Sequence, residues 1–479
     1  MMIDGKWSES SDGSWMEIFN PATGEVIDRV PMATIPDAER AVAAAQEGRE
    51  AMRKLPAHER ARLLCGVADR IEANHEELSR LLARENGKPI QQTRAEVKVT
   101  ANIFRGFAEE SKRIFGRVIP VDAVPGNERH FAVTIRQPLG VVAAIIPFNY
   151  PVELYGHKAA AALAAGNAVI AKPPPACPLT LLKIAEMIEE VGFPRGAHQM
   201  ITGHRESLGE FLASSPGVQM ISVTAGTHVG VKVSRLAAEN LKKIHLELGG
   251  NDAMIVCADA DIEKAANAVV LGRLARGNGQ ICCAVKRVFI EAPIYETFAG
   301  LLIEKAKALK VGNPLDEDTD VGPLISENAA IAVEGAIQGA IREGARLTTG
   351  GERQGAFISP AVLTEVPLQT QLFCEEVFGP VAPLAKFFDV EQAIQMANDS
   401  PYGLQASVFT KDISRAFDIA NRLEVGGVII NWSSALRVET LPFGGIKMSG
   451  HGREGIHDTL LEMTEQKVIL VHNAFSNFA

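Results

Sequence analysis

Positive charge is in short supply. Lys and Arg number 48 against 58 Asp and Glu, a formal charge of −10 with a pI near 5.7. That balance argues against a nucleic-acid partner or an anionic membrane surface. Long apolar runs are missing too. The stretches 141–147 and 425–430 are too short to span a bilayer. The amino terminus carries acidic and polar residues where a secretory leader has a basic end and an apolar core. Cysteines are few. Cys65, Cys177, Cys257, Cys282, Cys283 and Cys374 have no paired disulfide or metal spacing and no histidine cluster beside them. The expectation is a reduced, cytoplasmic protein without a metal, in which Cys65, Cys257 and Cys374 are small buried hydrophobes. No internal repeat or low-complexity segment occurs.

What the chain does have is length and apolar content. Its 479 residues, 47% hydrophobic, suffice for two or three domains with large cores. Residues 1–30 read as hairpin, with turn chemistry at Asn20-Pro21-Ala22-Thr23-Gly24. Segments 37–55, 58–74, 76–86 and 95–115 carry apolar residues at helical spacing. Alternation at 130–135 predicts a strand. From 141 to 223 strands and helices alternate, with a helix over 152–165, which is the signature of an open α/β sheet. The alternation resumes over 250–430, with a helix from 261 to about 276. The apolar end, 467–472, reads as an edge strand that another subunit would cover.

Two turns carry the chemistry. Glu247-Leu248-Gly249-Gly250 puts a carboxylate before a glycine pair, and Gly277-Asn278-Gly279-Gln280 leads into Cys282 and Cys283. A thiolate nucleophile with a carboxylate base suits covalent catalysis on a carbonyl. Pro147-Phe148-Asn149-Tyr150-Pro151 ends a buried strand stiffly and presents the Asn149 amide. Thr224-Ala225-Gly226-Thr227 follows a strand and opens a helix, where backbone N–H groups can meet a pyrophosphate.

Together the segments LELGG (246–250), GQxC (279–282), PFNYP (147–151), EExFGP (375–380) and PFGG (442–445) resemble the aldehyde dehydrogenase superfamily over nearly the whole chain. The nearest branch holds the lactaldehyde, non-phosphorylating glyceraldehyde-3-phosphate and semialdehyde dehydrogenases. The resemblance implies an α/β fold of two open parallel-sheet domains plus a small β oligomerisation region. Residues 1–118 and 139–247 would bind NAD or NADP, 248–432 would form the catalytic domain, and 119–138 with 433–479 would assemble a homodimer or homotetramer.

It also implies roles. Cys282 is the nucleophile, Asn149 and the Cys282 N–H form the oxyanion hole, and Glu247 activates water to hydrolyse the thioester. Lys172, Pro147, Phe148, Gly226, Thr227, Gly249, Glu376 and Phe378 line the cofactor. Arg105, Tyr150, His157, Ile281 and Arg437 are substrate-side candidates, the arginines suited either to an anionic aldehyde or to structural salt bridges. Ile281 stands where phosphate-handling relatives tend to carry Arg. Pro175 replaces the usual glutamate that repels a 2′-phosphate, so NAD and NADP both stay open. Gly226 replaces a usual Ser, and Gly277 a frequent Asn. Two other outcomes use the same residues, CoA-acylating oxidation and thiol-esterase activity, and Glu247 favours hydrolysis over transfer to CoA.

Overall fold

The computed structural model describes residues 1–204 and 206–475; residues 476–479 of the expected C-terminal segment lie outside it. Two mostly parallel sheets organise the chain. The larger runs Lys6–Trp7, Met2–Ile3, His198–Met200, Ala168–Lys172, Val141–Ile145, Met220–Thr224, Lys243–Glu247, Gly450–His451. Its pairings from His198–Met200 across to Lys243–Glu247 are parallel, while the outer ones are antiparallel. Side chains alternate between its faces. Val142 and Ala144 enter a core with Phe104, Leu181 and Ile184, whereas Val141 and Ala143 enter another with Ala41, Ile221 and Val223. Helices cover both faces, so the strand is apolar throughout.

The second sheet runs Arg346–Thr349, Ala361–Thr364, Val381–Phe387, Val285–Glu291, Asp252–Val256, Gln405–Phe409, Gly427–Ile430, parallel except at its first pair. Ala253 and Ile255 point into one core, Met254 and Val256 into another. A small antiparallel sheet joins Thr464–Val471 to Phe131–Pro138 and that strand to Arg117–Ile119. Val468, Ile469, Leu470 and Val471 are exposed on it. No helix among the described residues is long and apolar enough to cross a membrane.

The amino-terminal helices are Ile35–Lys54, Ala57–Ala73, His75–Asn86 and Ile90–Glu110. Thr34 and Asp37 cap the first reciprocally. The fourth begins five residues before the expected 95, directly after Pro89, whose missing N–H costs nothing at a helix start. Two other helices depart from the simple periodicity. The one from Pro151 to Ala165 contains a wider π-type turn at Gly156–Ala160, and Ile262–Val269 passes into a similar turn at Val270–Ala275. Both turns lie in helices that reach the site described next.

Candidate active site

In the first sheet the strand order reverses between Val141–Ile145 and Met220–Thr224. Such a switch point leaves a crevice beyond the carboxyl ends of the strands. A cleft of about 400 Å³ lies there, lined by Ile145 to Asn149, Lys172, Pro174, Pro175, Thr224 to Gly226, Leu248 and Gly249. Its far wall is Cys282, Glu376 and Phe378 from the second sheet's side. Thus Cys282, Asn149 and nearly all the expected cofactor residues share one cavity.

Several details shape this cleft. Gly226 caps the helix Thr227–Ala238 and leaves its space open, since a Cβ there would meet nothing within 4 Å. Thr227 turns its hydroxyl to the Met448 carbonyl at 3.2 Å. A Cβ on Gly249 would lie 2.3 Å from Glu376 Oε2, so only glycine lets that carboxylate stay. Glu376 Oε1 accepts the Gly250 N–H at 3.1 Å and lies 3.0 Å from Lys286 Nζ. Phe378 packs edge-on to Phe148, with ring centres 5.8 Å apart. Burial lowers the Lys172 ammonium to about 8.

The turn before the thiol is built from left-handed residues, Gly277 (φ 59°), Asn278 (φ 54°) and Gly279 (φ 73°). Gly277 therefore suits its position. A Cβ on Gly279 would lie 2.4 Å from the Gly379 carbonyl carbon. Asn278 donates to the Gly87 and Pro323 carbonyls and accepts the Gly322 N–H. Buried Arg273 donates to Val381, Val377 and Gly279, tying the cysteine turn to the Glu376 loop. Lys286 Nζ donates to the Cys282 carbonyl.

Cys282 is half-buried and reaches the cleft, whereas Cys283 is buried behind it with Tyr150, Leu154, Ile281, Leu404, Ala435 and Phe443. The two thiols are neighbours whose protonation is linked. That proximity, with Lys286 and Arg276, lowers the Cys283 thiol to about 7, while it and burial push the Cys282 thiol up. Cys374 is exposed and Cys65 partly so, which corrects the expectation that both are buried; Cys257 is buried.

Glu247 ends the strand Lys243–Glu247 and is 2% exposed. Burial raises its carboxyl, against the pull of His245. Neither of its oxygens receives a hydrogen bond.

The substrate-side candidates divide. Tyr150 and Ile281 pack in the buried apolar cluster around Cys283, and Tyr150 Oη accepts from Arg276 at 3.1 Å. Arg105 takes the salt-bridge alternative in this structure: its guanidinium bonds Glu72 and Asp69 of the helix Ala57–Ala73. Arg437 and His157 are buried but engaged. Arg437 donates to Glu454 at 2.6 Å and lies 3.6 Å from Glu153 and 3.8 Å from Glu439. His157 Nε2 contacts Glu439 at 2.5 Å. Glu153, His157 and Glu439 bring possible ligand atoms within 4.8 Å of one another, yet Arg437 already supplies the positive charge there. Sequence reasoning missed Arg273, Arg276, Lys286 and the carboxylates around Arg437. One partner was visible: His245 stands two residues before Glu247, on the same face of its strand.

The aldehyde dehydrogenase family profile matches residues 7–469. The chain is 40% identical over 472 residues to 3-sulfolactaldehyde dehydrogenase of Priestia megaterium, covering 98% of each. It is 40% identical over 477 residues to lactaldehyde dehydrogenase of Methanococcus vannielii, covering 99% of this chain and 100% of that protein. A solved point mutant of betaine aldehyde dehydrogenase from Staphylococcus aureus, in complex with NAD+, superposes with a TM-score of 0.95 at 35% identity, covering 100% and 98% of the chains. The chain belongs to the aldehyde dehydrogenase family and is an NAD(P)-dependent aldehyde dehydrogenase.

Proposed function

We propose that this enzyme oxidises a small neutral hydroxyaldehyde, of the lactaldehyde and glyceraldehyde kind, to its free acid. The observation that carries the reading is Cys282 on the wall of the cleft beyond the first sheet, with a buried apolar cluster packed behind it. Cys282 attacks the aldehyde carbon as its thiolate, its proton passing to the neighbouring Cys283, and gives a thiohemiacetal. Asn149 and the Cys282 N–H stabilise its oxyanion. Lys172, Gly226, Thr227, Gly249 and Glu376, with Pro147, Phe148 and Phe378, would hold NAD or NADP, which would accept the hydride lost from that carbon. Glu247 then takes a proton from water as it attacks the thioester, and Cys282 leaves as thiolate. A buried carboxylate with raised proton affinity and no donor on its oxygens suits that task.

The neutral substrate follows from the charges. Arg437 faces three carboxylates, His157 faces Glu439, and Arg105 pairs with Asp69 and Glu72. Ile281 adds no cation. In this reading residues 1–118 and 139–247 hold the nucleotide, 248–432 carry the thiol, and the exposed strand Thr464–Val471 is the assembly edge of a cytoplasmic homodimer or homotetramer. The test is initial rates at 340 nm with NAD and NADP separately against lactaldehyde, glyceraldehyde, glyceraldehyde-3-phosphate, 3-sulfolactaldehyde, succinate semialdehyde, propanal and benzaldehyde. The expected result is the highest kcat/KM with the neutral hydroxyaldehydes. A clear preference for the anionic ones overturns the substrate assignment and returns Arg437 to substrate binding.

A further inference from the structure

Glu247 must shed one proton per turnover although its side chain is buried. The strand alternation that points Glu247 inward does the same for His245, which is fully buried. Its Nε2 is 3.5 Å from Glu247 Oε1 and its Nδ1 is 2.7 Å from Glu462 Oε2. Glu462 is the last residue of the helix Ile456–Glu462, and its side chain is 32% exposed. The three groups thus run from the buried base to the surface. Gly452 (φ 98°) keeps the line open: a Cβ there would lie 2.9 Å from Glu462 Oε2 and 3.3 Å from the His245 ring.

We infer that His245 and Glu462 carry the proton from Glu247 to solvent during thioester hydrolysis, an inference that rests on Glu247 as the base. The balance is simple. Water loses a proton to Glu247 as its oxygen bonds the acyl carbon and the carbon–sulfur bond breaks. The cationic His245 gives its Nδ1 proton to Glu462, which releases one proton to bulk water; the ring then turns so that the bare Nδ1 takes the Glu247 proton, which restores the cation. Neither ring nitrogen holds a well-directed hydrogen bond at rest, so no such bond pins the ring against that turn. Neither His245 nor Glu462 touches substrate; both act through Glu247. Burial opposes charge on His245, but Glu247 and Glu462 outweigh it and raise its pKa to about 9. The resting imidazolium pulls the Glu247 carboxyl down against the rise that burial causes. Other charges facing the line are Lys158 and Glu454, which pair at 3.0 Å, His451, and Arg453, whose backbone N–H donates to Glu462 Oε1.

The test is stopped-flow NAD(P)H formation across pH 6–10 for His245→Gln, Glu462→Gln and Glu247→Gln. The inference expects the His245 and Glu462 variants to keep the first-turnover burst while steady turnover falls, by about 100-fold for His245→Gln and less for Glu462→Gln. Its pH midpoint should move upward, and added imidazole should restore part of the rate. Glu462→Gln alters a partly exposed side chain and decides the matter if His245→Gln does not fold. Steady rates and pH profiles equal to the parent in Glu462→Gln and any folded His245→Gln overturn the relay, while a Glu247→Gln that bursts and stalls leaves the base assignment standing. Normal turnover in Glu247→Gln overturns both.

Discussion

The two parallel sheets meet the cleft with opposite ends. The first offers carboxyl ends: Ile145, Lys172, Thr224 and Glu247 close their strands there. The second offers amino ends: Gly250, Cys282–Cys283, Glu376–Phe378 and Leu404 precede their strands. Its own strand order also reverses, between Asp252–Val256 and Gln405–Phe409. Beyond that switch point, however, the crevice is filled from within. Asp259 accepts from the Thr410 hydroxyl and from the Lys411 and Asp412 N–H groups, with Arg415 at 3.4 Å. One switch point is left for a ligand, and the other is closed by a carboxylate of the chain itself. A topology rule finds the first half of the site and points away from the second.

The comparison can be broken at its amino-end half. Cys282→Ala should lose oxidation by about 100,000-fold or more while nucleotide fluorescence titration still reports binding. Sustained turnover in that variant would remove the second sheet from the chemistry. On the carboxyl-end half, Asn149→Ala should lower kcat by about 100- to 1,000-fold with little change in nucleotide affinity. Pro175→Glu sharpens the same half: a carboxylate facing the 2′ position should cut kcat/KM for NADP by about tenfold relative to NAD. The smallest effect belongs to the closed switch point. Asp259→Ala should cost about 1–2 kcal/mol in urea unfolding and leave kcat unchanged. Burial opposes the Asp259 charge, but the Thr410 and backbone bonds outweigh it and hold its carboxyl below the ordinary range. That contribution is present above the ordinary carboxylate pKa and lost as pH falls through the lowered one, so parent and variant should converge in acid.

Much of this was legible in the chain. Asn149, Glu247, Cys282 and Glu376 sit in turns whose glycines and prolines mark them, and turn chemistry is local. The apolar strands and capped helices announce themselves by period. What failed was non-local. Arg105 looks free until Glu72 and Asp69 arrive from another helix. Arg437 looks free until Glu153, Glu439 and Glu454 surround it. The wider turns at Gly156–Ala160 and Val270–Ala275 lie in segments with ordinary helical periodicity, so packing alone reveals them.

The strand that bears Glu247 is completed by Gly450–His451, about 200 residues later, and Glu462 follows close behind. During synthesis at about 5–20 residues per second, roughly ten to forty seconds separate the two strands. Throughout that interval the Lys243–Glu247 edge stands open, and His245 and Glu247 have no roof. Maturation of the enzyme is therefore timed by the arrival of residues 450–462. Ribosome-bound chains halted before residue 450 should bind nucleotide poorly, expose a sticky strand to chaperones, and turn over no aldehyde.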